Sequence, residues 1–172
     1  MIVLAEKNLP YNLIEVDLKN KPEDLTRQNP YGKVPVLVDG AGVIYESAII
    51  DEYLEEKFPE VRLMPVDLLL RSKARIWVDY CSTRLHAAAS DITHNREPEK
   101  AQQRMAQHLT SLDKEMAGKR YLVGNEYTLA DVSFIPFYTR RERYGVVIDD
   151  TYPNLKRWGE ELIVRPQVAP TL

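Results

Sequence analysis

The chain is 172 residues long, with 44% hydrophobic and 28% charged residues, which is the make-up of a folded soluble protein and excludes disorder, collagen and coiled coil. Twenty-three Lys+Arg against 26 Asp+Glu leave a formal net charge of −3, which argues against a dedicated nucleic-acid binder. No apolar run approaches the length of a membrane-spanning helix. The single cysteine, Cys81, rules out an internal disulfide and any cysteine-cluster metal site, so a reducing cytoplasm is the expected compartment. Ile2 to Ala5 is too short for a signal-peptide core.

In chain order, Ile2 to Lys7 reads as the end of a helix, with Asn8 as its left-handed stop and Pro10 just beyond. Ile14, Val16 and Leu18 alternate with Glu15 and Asp17, which is strand period. Lys21-Pro22 leads into a short polar helix or turn. Asn29-Pro30-Tyr31-Gly32 has the residues of a tight turn, Pro second and Gly fourth. Val34 to Val38 predicts a strand, Asp39 to Gly42 a hairpin turn, and Val43 to Tyr45 the returning strand. Ser47 is expected to cap a helix whose buried stripe is Ile50, Tyr53 and Leu54 and which ends near Phe58-Pro59.

Glu60 to Met64 reads as a linker, and the rest is helical. Ala74, Trp77, Val78, Cys81, Leu85 and Ala88 share one face of a long helix. Ala101, Met105, Leu109, Leu112 and Met116 do the same for a second, with Gly118 as its stop. Thr128 caps a third that is apolar nearly all round, hence central and buried. Thr128 and Asp131 have the spacing of a capping box, with Asp in place of Glu or Gln, and Tyr127 and Val132 are placed for a hydrophobic staple. Asn154 to Val164 forms a fourth helix. Cys81, in mid-helix with no fixed base or helix N-terminus beside it, is a poor nucleophile. His86, His94 and His108 lack metal-ligand spacing and read as surface or packing residues, so no metal is expected.

Three stretches carry a resemblance. Asn29-Pro30-Tyr31-Gly32-Lys33-Val34-Pro35-Val36-Leu37 with Tyr45-Glu46-Ser47-Ala48-Ile49 is the first. Tyr121-Leu122-Val123-Gly124 with Thr128-Leu129-Ala130-Asp131 is the second, and Arg165-Pro166-Gln167-Val168 the third. In this order they resemble the cytosolic glutathione transferases. The segments around Leu18 to Pro22 and Ile44 to Ile49 are most similar to the omega class, and Ile2 to Lys7 to the stringent-starvation-protein branch. The resemblance implies an α/β plus all-α fold: a thioredoxin-like glutathione-binding domain over 1–59, then an all-helical domain over 65–172.

What the resemblance implies for the residues follows position by position. A cis Val34–Pro35 bond would turn the backbone of Val34, next to Lys33, outward to pair with the cysteinyl part of glutathione as an added strand does; on spacing alone Pro35 reads equally well as a turn proline. Glu46 would accept from the γ-glutamyl ammonium. Ser47, with the free N–H groups behind it, would receive the γ-glutamyl carboxylate, beside its simpler reading as a helix cap. Lys21 matches an omega-class lysine that pairs with the glycyl carboxylate; otherwise it is a solvated surface lysine. Trp77, Tyr80, Cys81 and Arg84 lie on the helix that in the family lines the pocket for the second, apolar substrate and helps form a homodimer; for Trp77 and Cys81 packing is the competing reading.

The family also begins with a central strand, followed by the catalytic Tyr, Ser or Cys at the start of the first helix. Met1 aligns inside that helix, so a strand and helix start of roughly 15–20 residues are missing from the pattern. The catalytic residue is expected upstream of Met1, and no residue from Met1 on is carried over to that role. The function implied is glutathione binding for conjugation to electrophiles or for thiol–disulfide exchange, with weak binding and low turnover expected of the chain as written. The alternative is a non-catalytic regulatory protein that acts through protein partners. Neither reading involves nucleic acid or a membrane.

Overall fold

A computed structural model describes residues 1–172. Two compact units divide between Val61 and Arg62, and each is described by itself.

The first unit opens with α1 (Ile2–Glu6), which stops where Asn8 turns left-handed at φ 53°. Asn is one of the few residues that tolerates this region, so the expected stop is present. Lys7, just inside, is buried, and its ammonium reaches Glu55 Oε2 at 2.6 Å, the Phe58 carbonyl at 2.8 Å and the Val61 carbonyl at 2.6 Å. A buried ammonium persists only when its donors are taken up in this way. Here they close the end of α3 (Ser47–Lys57).

The strand expected over Ile14 to Leu18 does not form. The sheet has two strands, β1 (Val36–Asp39) and β2 (Gly42–Tyr45), paired antiparallel. A strand is held by its ladder, and no other segment of the chain pairs with residues 14–18. Ile14 is accordingly 82% exposed. The hairpin itself is as expected, though β1 starts at Val36 rather than Val34 and each strand extends one residue further toward the loop. A two-residue Gly40–Ala41 loop closes it, and Gly40 takes φ 59°, the positive φ that such loops demand. Between these elements α2 (Glu23–Gln28) follows Pro22, and Gly32 N–H donates to the Asn29 carbonyl at 2.8 Å to close the predicted tight turn. The Val34–Pro35 peptide is cis. Tyr53 Oη donates to Asp39 at 2.8 Å, and Lys57 pairs with the same carboxylate. Both pin α3 to the hairpin.

The second unit is helical: α4 (Leu68–Tyr80), α5 (His86–Thr93), α6 (Pro98–Glu115), α7 (Leu129–Arg140) and α8 (Pro153–Ile163). The single long helix predicted around Ala74 to Ala88 is interrupted by a π-turn over Cys81–Leu85. Ala74, Cys81, Leu85 and Ala88 are buried as expected, whereas Trp77 and Val78 are half-exposed. The α6 stripe of Ala101, Met105, Leu109, Leu112 and Met116 is wholly buried, and Gly118 follows at φ 71°.

The core centres on α7, whose Phe134 ring stacks on Trp158 of α8 with centroids 4.3 Å apart. The Thr128–Asp131 capping box is present. It does more than cap, because Asp131 also accepts from Leu122 N at 3.0 Å and from Trp158 Nε1 at 3.1 Å. No helix is long and apolar enough to cross a membrane.

Candidate functional site

The candidate site lies in the first unit, where the hairpin opens into α3. The register pairs Val36 with Tyr45. The ladder ends at that pair, so Pro35 comes just before β1 and Glu46 just after β2 at the same end of the hairpin.

Glu46 is the hinge of this arrangement. Its φ is 69°, and it rather than Ser47 is the N-cap of α3. The prediction of Ser47 as cap is thereby corrected. With Glu46 at positive φ, helical geometry begins at Ser47, and the Glu46 side chain makes no capping hydrogen bond. Ile50 N–H donates to the Glu46 carbonyl at 2.9 Å, so the N–H groups of Ser47, Ala48 and Ile49 have no intrahelical acceptor. They are open to an anion, and the helix dipole favours one there. The Ser47 hydroxyl stays exposed beside them.

The turn before the hairpin is brought to the same end. Tyr31 meets Tyr45 edge to face with centroids 5.6 Å apart. Asn29 is buried and braces the turn from inside: its side-chain N–H donates to the Lys33 carbonyl at 2.8 Å, and its Oδ1 accepts from Tyr31 N at 3.0 Å. Lys21 lies over the turn, its Nζ 3.6 Å from where a Cβ on Gly32 would stand. Lys21, Lys33 and Glu46 are exposed and none forms an ion pair within the chain. Val34 is 45% exposed. Lys21 thus stands by the turn that precedes Lys33, Val34 and Pro35, and the Tyr31–Tyr45 contact brings that turn to the strand that Glu46 and Ser47 follow.

Sequence reasoning missed the part of Asn29. The signal was available, since an Asx residue at the first position of a turn binds backbone two residues on.

The four residues predicted to line a second-substrate pocket do not share one environment. Trp77 and Tyr80 are half-buried on α4, ring centroids 5.3 Å apart. The Tyr80 hydroxyl meets His108 Nδ1 of α6 at 2.7 Å, and burial lowers the His108 pKa, aided by Arg84 and Arg104. Which of the two groups donates depends on the imidazole tautomer. Arg84 is exposed on the π-turn. Cys81 is 4% exposed, its thiol donating to the Ser133 carbonyl of α7 at 3.1 Å. Burial pushes that thiol up to about 12, so it is a packing group with negligible thiolate. His86 and His108 are half-buried and His94 is exposed.

Comparison with known proteins identifies the family. Residues 1–62 match the family model of the glutathione S-transferase N-terminal domain, and residues 76–166 that of the C-terminal domain. Glutathione S-transferase U25 of Arabidopsis thaliana is 32% identical over 99% of this chain and 81% of its own length. A stringent starvation protein A homolog of Haemophilus ducreyi is 34% identical over 84% of this chain and 69% of its own. Among solved structures, rice GST1 in complex with glutathione superposes with a TM-score of 0.88 at 28% identity, covering 99% of this chain and 82% of that one. A thioredoxin-type hairpin and helix, the helical unit that follows, and matches over both place this chain in the cytosolic glutathione transferase family.

Proposed function

We propose that the chain binds glutathione at the open end of the hairpin and presents its thiol for conjugation to an electrophile or for thiol–disulfide exchange. The observation that carries this reading is the cis Val34–Pro35 peptide leading into β1 at the end of the hairpin where Glu46 starts α3. In this reading the Val34 backbone pairs with the cysteinyl residue as an added strand. Glu46 accepts from the γ-glutamyl ammonium, while the N–H groups and hydroxyl at Ser47 receive the carboxylate on the same carbon. Lys21 and Lys33 supply positive charge for the glycyl carboxylate. Trp77, Tyr80 and Arg84 are assigned to the second substrate. No residue here is assigned to thiol activation, and Cys81 is unsuited to it. The glutathione bound in the rice relative supports the ligand's identity.

A homodimer is part of the same proposal. Leu69 and Ile76, seven positions apart on α4, are 66% and 65% exposed and lie on one helix face, where a second copy would cover them.

Calorimetric titration with glutathione tests the reading. Each charge-assisted contact is worth about 1.5–3 kcal/mol, so Glu46→Gln and Ser47→Ala should each weaken binding about tenfold or more with the circular-dichroism spectrum unchanged. Absence of glutathione binding by the folded chain, or indifference to both substitutions, refutes it. The similarity to a stringent starvation protein A homolog favours a second reading, a regulatory protein acting through protein partners. Failure to be retained on immobilised glutathione, together with capture of a large protein partner, would select it.

A further inference from the structure

A cleft of about 490 Å³ opens in the second unit, lined by Arg62, Met64, Val66, Glu126 and Tyr127. None of these residues belongs to the glutathione set. The volume falls within the range of small-ligand pockets, about 300–1,000 Å³.

The walls are built rather than incidental. Leu63 and Met64 are 3% and 4% exposed, and the Leu63 carbonyl accepts from Leu129 N at 2.8 Å. The segment is thereby tied to the start of α7. Tyr127 is fixed from outside the cleft: the Arg165 guanidinium stacks 3.6 Å from its ring centroid, and Tyr121 meets it edge-on at 5.8 Å.

Arg62 and Glu126 are exposed, and neither forms an ion pair or hydrogen bond within the chain. They line one cleft without reaching each other. A guanidinium takes a carboxylate with two parallel hydrogen bonds, and a carboxylate takes an ammonium. The other lining residues offer a thioether, a valine and an aromatic ring, which suit an apolar or aromatic body.

We propose that this cleft binds a zwitterion with an apolar side group, an apolar or aromatic α-amino acid, with its carboxylate on Arg62 and its ammonium toward Glu126. The ring of such a ligand lies against Tyr127 and Met64.

The test is titration of the full chain with L-phenylalanine, read by NMR at the Tyr127 ring and the Met64 methyl, with 3-phenylpropionate and phenethylamine as single-charge analogues. Phenylalanine is expected to bind about tenfold or more tighter than either analogue, from one further charge-assisted contact. Arg62→Gln should weaken phenylalanine while leaving phenethylamine unchanged, and Glu126→Gln should weaken phenylalanine while leaving 3-phenylpropionate unchanged. Both residues are exposed, so the variants keep their fold. The proposal is overturned if Tyr127 and Met64 do not shift up to the solubility limit of phenylalanine. Equal binding of phenylalanine and either analogue, or indifference to both substitutions, also overturns it. Glutathione binding at residues 21–47 is unaffected by either variant, so the two readings fail separately.

Discussion

Asp131 shows how much one side chain can organise. Both its oxygens are used: Oδ1 accepts from Leu122 N and Trp158 Nε1, and Oδ2 from the Thr128 backbone N–H and hydroxyl. As a helix cap alone it would be worth about 1 kcal/mol. Asp131→Ala strands several buried donors at about 1–3 kcal/mol each, so the loss should reach about 3 kcal/mol or more in urea unfolding. Trp158→Phe keeps the ring over Phe134 and removes one donor with its need, so its cost should stay near 1 kcal/mol. If Asp131→Ala costs no more than Trp158→Phe, the carboxylate is only a cap.

Among the elements, the contact between α7 and α8 depends on the absence of a side chain. Gly159 is buried in the middle of α8, and a Cβ there would overlap the ring of Tyr138 on α7. Both partners are fully packed, and Tyr138 is 2% exposed, so the ring has no space to yield. Glycine in a helix interior ordinarily costs about 1 kcal/mol relative to alanine. Here Gly159→Ala should reverse that sign and destabilise by about 1–3 kcal/mol through overpacking. Thermal unfolding would show a lowered Tm. A gain in stability would mean that the helices are not in such close contact.

For the molecule as a whole, stability should depend on pH through buried carboxyls. Burial raises Asp51 of α3 to about 6, against the opposing pull of the chain's amino terminus. Burial likewise raises Asp131 to about 6, against its four donors. An unfolded Asp titrates near 3.9. Between that value and about 6 the native state therefore holds more protons than the unfolded one, so stability falls as pH rises through this window and levels off above it. Asp51→Asn should flatten the slope, as read from urea midpoints between about pH 4 and 7. A midpoint that rises across this range, or a slope that Asp51→Asn leaves intact, would contradict the assignment.

Much of this architecture is legible in the sequence, and for one reason. The α6 stripe, the Asn29–Gly32 turn, the Asp39–Gly42 hairpin, the Asn8 stop and the Thr128–Asp131 box all depend on residues within a few positions of one another. Repeat period and turn chemistry record such relations directly. What escaped the sequence depends on distant partners. The alternation at Ile14 to Leu18 promises a strand, but a strand exists only if another lies beside it. The sequence marks Lys7 only as a helix end; its acceptors lie up to 54 positions away. Ser47 reads as a cap until Glu46 takes a positive φ at the mouth of the hairpin. Asp131 reads as a cap until Trp158 arrives from 27 positions along the chain. Local order follows from spacing; the identity of a remote partner follows only from packing, which the tertiary structure alone decides.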